Sequence, residues 1–186
     1  MLAFNNAGKL MLLGSKGDVK WSVDNLPVTN QDFSIVQTPG DFLMMNAAGN
    51  QLIEISSDGN DKLKPLIDSA FSFAATATSD TDYQYFFSSR HDVRSYNSKG
   101  EFKNALSLKS SAIGGIQVIT LNDEKYLLVT DETTKKVRVY DLSLKPLADY
   151  AVSNTNGFTI TDLFDRKELI GIQPDGNGYL ECYRIK

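Results

Sequence analysis

Short apolar runs, cut by polar turns, recur from one end of the chain to the other, and five of them share one form. Leu10-Met11-Leu12-Leu13, Leu52-Ile53-Glu54-Ile55, Val93-Arg94-Ser95-Tyr96, Val137-Arg138-Val139-Tyr140 and Leu180-Glu181-Cys182-Tyr183 each open on an aliphatic residue and close three positions later on a large apolar or aromatic one. The closing residues Leu13, Ile55, Tyr96, Tyr140 and Tyr183 stand 42, 41, 44 and 43 positions apart. Self-similarity at such a period marks a repeat architecture, in which one supersecondary unit covers its faces with copies of itself.

The pattern inside each repeat predicts strands. Glycine follows the closing residue by four positions in three repeats, at Gly17, Gly59 and Gly100. Ser15-Lys16-Gly17, Ser57-Asp58-Gly59-Asn60 and Ser98-Lys99-Gly100 therefore read as hairpin turns, where a positive φ costs glycine nothing sterically. Before each aligned segment lies a second apolar run, as in Phe42-Leu43-Met44-Met45, Tyr85-Phe86-Phe87 and Tyr126-Leu127-Leu128-Val129, separated from it by a polar turn. A third strand follows the glycine, for example Asp18 to Val23, Glu101 to Leu106 and Pro146 to Val152. A small apolar fourth, such as Phe71-Ser72-Phe73-Ala74-Ala75, Gly114 to Ile119 and Phe158 to Thr161, suits a crowded innermost position. Asp61 to Ala70 is the best helical rival and is interrupted by Pro65, while Asp162 to Glu168 offers two turns at most. The expectation is an all-β chain of four to five four-stranded antiparallel units.

A four-stranded sheet repeating every 40–45 residues resembles the WD-repeat-like and YVTN-like β-propeller superfamily, most visibly in Val137-Arg138-Val139-Tyr140-Asp141 and Val93-Arg94-Ser95-Tyr96-Asn97. The resemblance covers nearly the whole chain and implies blades packed face to face; the Gly-His and Trp-Asp dipeptides of true WD repeats are absent. Gly17-Asp18-Val19-Lys20-Trp21 is similar to half of the docking motif of quinoprotein-type repeats, but one repeat carries it, so Trp21 reads as packing between blades and no cofactor is expected. Ser56-Ser57-Asp58-Gly59 places its glycine one residue early for a sialidase Asp-box and has no tryptophan after it.

The single domain 1–186 divides into an incomplete repeat 1–31, repeats at about 32–69, 70–109 and 110–154, and an incomplete repeat 155–186. The first lacks an innermost strand and the last an outermost one. A compact five-bladed ring competes with part of a larger propeller, and an opening at a blade's second strand favours the latter. That reading leaves an apolar face and unpaired edges to be covered by further blades or by self-association.

Composition narrows the chemistry. With 19 Lys and Arg against 23 Asp and Glu the net charge is −4, which argues against a nucleic-acid partner. Lys135-Lys136 with Arg138 is too short a basic cluster to change that. Cys182 and His91 are the only residues of their kinds, so a disulfide within the chain and a multi-histidine metal site are excluded. Cys182, in a strand-like run, reads as a small buried hydrophobe. No run approaches the ~20 apolar residues of a membrane span, and export to an envelope compartment would need a signal upstream of Met1; otherwise the chain stays cytoplasmic.

In propellers, the loops entering the innermost strand and those between second and third strands share one face. Asp32, Arg90, His91, Asp92, Asp131, Glu132, Asn156 and Asp175 fall there, with Asn30, Gln31, Lys135 and Asn177 beside them. Their mixed polarity suits a protein or glycan partner. Arg90-His91-Asp92 is the most reactive-looking triplet, but adjacent residues in a tight turn point apart. Asp58 to Asp61 and Asp175 to Gly178 lack the alternating oxygen ligands and closing glutamate of a calcium loop. The reading is a noncatalytic binding or scaffold propeller with no metal; its rival is a glycan-active enzyme using inner-strand acids, Asp32 and Asp162.

Overall fold

A computed structural model of the chain describes residues 1–5, 7–27, 33–39, 41–66, 70–109, 112–121, 123–152, 159–161, 169–174, 177 and 179–185. Every regular element among them is a strand, and none is a helix long and apolar enough to cross a membrane. Each sheet is an antiparallel meander of consecutive strands. The first holds β1 (Leu2–Phe4), β2 (Leu10–Leu13) and β3 (Val19–Val23); the second β4 (Ser34–Thr38), β5 (Asp41–Ala48), β6 (Gln51–Ser56) and β7 (Asp61–Pro65). The third holds β8 (Ser72–Ala77), β9 (Tyr83–Ser88), β10 (Asp92–Asn97) and β11 (Phe102–Ser107); the fourth β12 (Ile113–Leu121), β13 (Glu124–Asp131), β14 (Lys136–Asp141) and β15 (Pro146–Ala151). The fifth has β16 (Thr159–Thr161), β17 (Leu169–Pro174) and β18 (Leu180–Ile185). Ile55, Tyr96, Tyr140 and Tyr183 lie in the third strand of their sheets, and Leu13 in the middle strand of the three-stranded first sheet.

Side chains on a strand point alternately to its two faces, and here both faces are covered. Met44 packs toward the first sheet with Leu10, Val23, Ile53 and Ile55, while its neighbour Met45 packs toward the third with Phe73, Tyr85 and Phe87. Phe86, between Tyr85 and Phe87, turns the other way and joins Ile116, Leu127 and Tyr140 of the fourth sheet. Leu128 continues the series, meeting Ile160 of the fifth sheet with Val137 and Val139. Four clusters thus fill four interfaces between consecutive sheets, which is why the middle strands read as unbroken apolar runs. Innermost strands touch as well, β4 on β8 and β8 on β12. The arrangement is propeller-like.

The Asp61–Pro65 segment is strand β7, exposed along its length; the helical rival at 162–168 lies outside the described residues. Trp21 packs between the first two sheets, its indole Nε1 donating to the Ser57 carbonyl at 2.7 Å. Gly59 (φ +86°) lies under that ring, and a Cβ there would come within 2.8 Å of it. Cys182 differs from expectation: it is exposed, because β18 is an edge strand whose face at this point meets solvent.

The hairpin turn after each closing residue recurs once more than the glycines suggest. Gly17, Gly59 and Gly100 donate to Gly14, Ser56 and Asn97, and Leu144 donates to Asp141 in the same way at 3.0 Å. Leu144 also has positive φ, at 65°. It accepts the backbone strain because its side chain is buried against the third sheet. Asp141 Oδ1 reinforces the turn by accepting from Ser143 N and Lys145 N, each at 2.9 Å.

Candidate functional site

The loops leading into the innermost strands and those joining second to third strands meet at one end of the sheets and are laced together by main-chain hydrogen bonds. In the first four sheets one aliphatic residue just past the outermost strand donates its N–H across: Leu26 to Gly8 (2.9 Å), Leu66 to Asn50 (2.6 Å), Leu108 to His91 (2.7 Å) and Val152 to Lys135 (2.9 Å). A second set ties one sheet to the next. Ala70 donates to Gly49 at 2.7 Å, tying the third sheet to the second, and Ile113 to Arg90 at 2.9 Å, tying the fourth to the third; Glu132 donates to Ala112 at 2.8 Å within the fourth sheet. The main chain of this face is therefore tied together from the second sheet to the fourth, and its side chains are what remain for recognition.

Arg90 and His91 occupy the apex of a turn closed at both ends. Ser89 N donates to Asp92 O at 2.9 Å, and Ser89 Oγ accepts from Asp92 N at 3.1 Å. With both carbonyls of the apex taken by Ile113 and Leu108, Arg90 and His91 are exposed and Asp92 is half-buried at the start of β10.

The next repeat presents Glu132, exposed, with its side chain lying across Gly114; a Cβ at that glycine would meet Glu132 Cγ at 2.7 Å. Gly114 thus leaves room for a carboxylate beside the innermost strand. Asp131, one residue earlier, is fully buried. Its Oδ1 accepts from Thr133 N and Thr134 N at 3.1 and 3.0 Å, and its Oδ2 takes Arg138 Nη2 at 2.8 Å. That hydrogen bond, opposed by burial, holds the Arg138 guanidinium more firmly in its charged form. Asp131 shapes the turn that presents Glu132. Asp32, Asn156, Asp175 and the inner-strand acid Asp162 lie outside the described residues, while Asn177 is exposed.

Beside these loops, the innermost strands β4, β8 and β12 form a cavity of about 520 Å³ lined by Ser34, Ile35, Ser72, Ile116 and Gln117 among others. Ser72 Oγ accepts from Ile116 N at 3.0 Å, joining the third sheet to the fourth at the cavity wall. Two large apolar residues are exposed on this side: Ile35, a lining residue of the cavity, at 57%, and Phe71, the chain neighbour of the lining residue Ser72, at 54%. Phe71 is held by its own N–H on Ser88 O at 2.7 Å, a loop contact just outside β8. Sequence reading placed Phe71 inside a crowded inner strand. The usable signal was parity: Phe71 and Phe73 share a face only if the strand already includes residue 71, and it begins at Ser72. Among the described residues no three His, Cys, Asp or Glu side chains gather as a metal would require.

No protein-family model matches the sequence, and no curated protein matches it either. Solved structures do match in fold. BBS1N in complex with ARL6DN superposes with a TM-score of 0.75 at 14% identity, covering 100% of this chain and 60% of that one. Virginiamycin B lyase from Staphylococcus aureus gives 0.57 at 16% identity over 100% of this chain and 69% of that one. The dihydro-heme d1 dehydrogenase NirN gives 0.67 at 10% identity over 99% of this chain and 42% of that one. The chain thus spans about three-fifths of the BBS1N chain it matches, and what it shares with all three is the fold of β-propeller blades.

Proposed function

We propose that the chain is a noncatalytic binding module that holds a protein partner on its loop face, with Phe71 and Ile35 as apolar anchors and Arg90, His91 and Glu132 as the charged and polar rim. The observation that carries this reading is the pair of exposed apolar side chains, Ile35 in the cavity wall and Phe71 next to the lining residue Ser72, on loops tied by main-chain hydrogen bonds. Aromatic and arginine side chains around a water-excluding centre are the residues that carry binding energy in protein interfaces, and a rigid frame lowers the ordering cost of association. BBS1N, of similar fold, was solved with a protein bound; virginiamycin B lyase and NirN show that the fold also serves enzymes. The competing glycan-active reading rests on Asp32 and Asp162 converging at the channel.

The test is quantitative affinity capture from the source organism with the wild type, Phe71→Asp, Arg90→Glu and a Lys16→Gln control on the opposite face. A protein recovered with wild type and control, and lost at least tenfold with both loop-face variants, is the expected result. Recovery unaffected by either variant, or saturable glycan turnover lost on Asp32→Asn, would overturn the proposal.

A further inference from the structure

The opposite face, formed by the hairpins that join first to second and third to fourth strands, carries a groove that the proposed partner site does not use. It lies between the third sheet and the Leu142–Ser143 turn of the fourth, and encloses about 550 Å³, within the roughly 300–1,000 Å³ of small-molecule sites.

Its walls are built by specific contacts. Gln84 Nε2 donates to Leu142 O at 2.8 Å, pinning the fourth sheet's turn against the third sheet. On the other side Tyr83 OH donates to Glu54 Oε1 at 2.8 Å and reaches Ser98 O at 3.3 Å, and Lys64 Nζ closes on the same carboxylate at 2.7 Å. Ser98 Oγ donates to Asp82 Oδ1 at 2.9 Å, which ties that acid to the neighbouring β10–β11 hairpin. Three sheets therefore fix the groove before any ligand arrives.

What remains unspent points to one chemistry. Lys99 and Lys103 both line the groove, both are exposed, and neither forms an ion pair among the described residues. Among the lining residues two ammonium groups stand against one carboxylate, Asp82, which already accepts from Ser98 Oγ, while the Glu101 carboxylate outside the lining is held by Asn97 Nδ2 at 2.7 Å. Around them the side-chain amide of Asn104 and the hydroxyl of Thr78 make no hydrogen bond among the described residues, and Gln84 has used its N–H but not its carbonyl. Neutral amides and hydroxyls at fixed positions match hydroxyl-rich ligands, since each ligand O–H both donates and accepts; paired lysines match a carboxylate. We propose that this groove binds a carboxylate-bearing saccharide, such as a uronic acid unit of a glycan, with Lys99 and Lys103 on the carboxylate and Gln84 and Asn104 on the ring hydroxyls. An acidic peptide would satisfy the lysines but leave the amides without their matched hydroxyls.

The proposal is tested by calorimetric titration of the full chain with digalacturonate, with the neutral disaccharide of the same linkage, and with tetraglutamate. Saturable binding of digalacturonate is expected, with the neutral sugar and the peptide each roughly tenfold or more weaker, the factor that one charge-assisted contact supplies. Lys99→Gln and Lys103→Gln are each expected to weaken digalacturonate by a similar factor, and Asn104→Ala to weaken both sugars together while the melting transition stays in place. The loop-face variant Arg90→Glu is expected to leave binding unchanged. No saturable binding, binding indifferent to both lysine substitutions, or tetraglutamate binding as tightly as the sugar would overturn it.

Discussion

Leu144 occupies a backbone conformation that three other repeats give to glycine, and substitutions there separate backbone strain from packing. A left-handed φ costs an L-residue about 1–2 kcal/mol, here at φ 65°. The leucine offsets this by burying its side chain among Phe86, Val93, Leu127 and Tyr140, to 7% exposure. Leu144→Ala keeps the strain and loses the packing, a loss of about 2–5 kcal/mol for a buried leucine. Leu144→Gly loses the same packing but removes the strain, so the glycine variant is expected to be more stable than the alanine variant by about 1 kcal/mol. At an ordinary position the order is reversed, because glycine's freer unfolded chain makes it the less stable by about 0.4–1 kcal/mol. Urea unfolding of the three chains, compared at equal m-values, reads both differences. An alanine variant equal to or more stable than the glycine variant would refute the argument that this turn demands a left-handed residue; a leucine no more stable than glycine would refute the claim that burial offsets the strain.

Gly59→Ala combines a positive φ with contact on the Trp21 ring and is expected to cost about 1–3 kcal/mol, with a change in tryptophan fluorescence that Gly100→Ala, where the nearest atom is 3.8 Å away, does not produce. Arg138→Ala leaves the buried Asp131 carboxylate without its cation and is expected to cost about 3–5 kcal/mol in chemical denaturation. Asp149→Ala, whose carboxylate is exposed and stands 3.6 and 3.9 Å from Lys136 and Arg138, is expected to cost under about 1 kcal/mol. Burial pushes the Tyr85 phenol up from 10.0 to about 12. Burial and the hydrogen bond to Glu54 push Tyr83 up in the same direction. A phenol raised in the folded state contributes stability that is complete below pH 10 and is lost as the pH rises through the folded value. The denaturation midpoint is therefore expected to hold up to pH 10 and to fall between pH 10 and 12, and Tyr85→Phe is expected to flatten that decline; an unchanged slope would exclude Tyr85 as its source.

How far the residues revealed this architecture depends on which physical signal each part carries. Runs with both parities apolar, as at Met44-Met45, Tyr85-Phe86-Phe87 and Leu127-Leu128, are legible as buried strands because both sheet faces are covered; the stacking of the sheets follows from the repeat period and the propeller resemblance. Glycine at a fixed phase exposed the third-to-fourth-strand hairpin, but Leu144 hid the fourth instance, since packing there overrides the backbone preference that glycine would satisfy. The row Leu26, Leu66, Leu108 and Val152 is spaced at the repeat period and could have been found by extending the same alignment past each outer strand. The hydrogen bonds it makes are main-chain and leave no trace in residue type. For the same reason Asp131 and Glu132 look interchangeable in sequence. Only the fold shows that one is buried under Arg138 and the other presented across Gly114. Exposure of Cys182 was equally hidden, because a strand's neighbours and not its own residues decide which face is covered.

The loop face is held by main-chain hydrogen bonds and is not a set of independent loops. Native-state hydrogen exchange of the amides of Leu26, Leu66, Leu108 and Val152 tests this most directly, since none belongs to a strand and each donates across the face. The frame predicts that all four exchange as slowly as the strand amides of Val93 and Val129, with opening free energies near that of global unfolding. Exchange of these four at the rate of Asp80, in the exposed turn between β8 and β9, would contradict it.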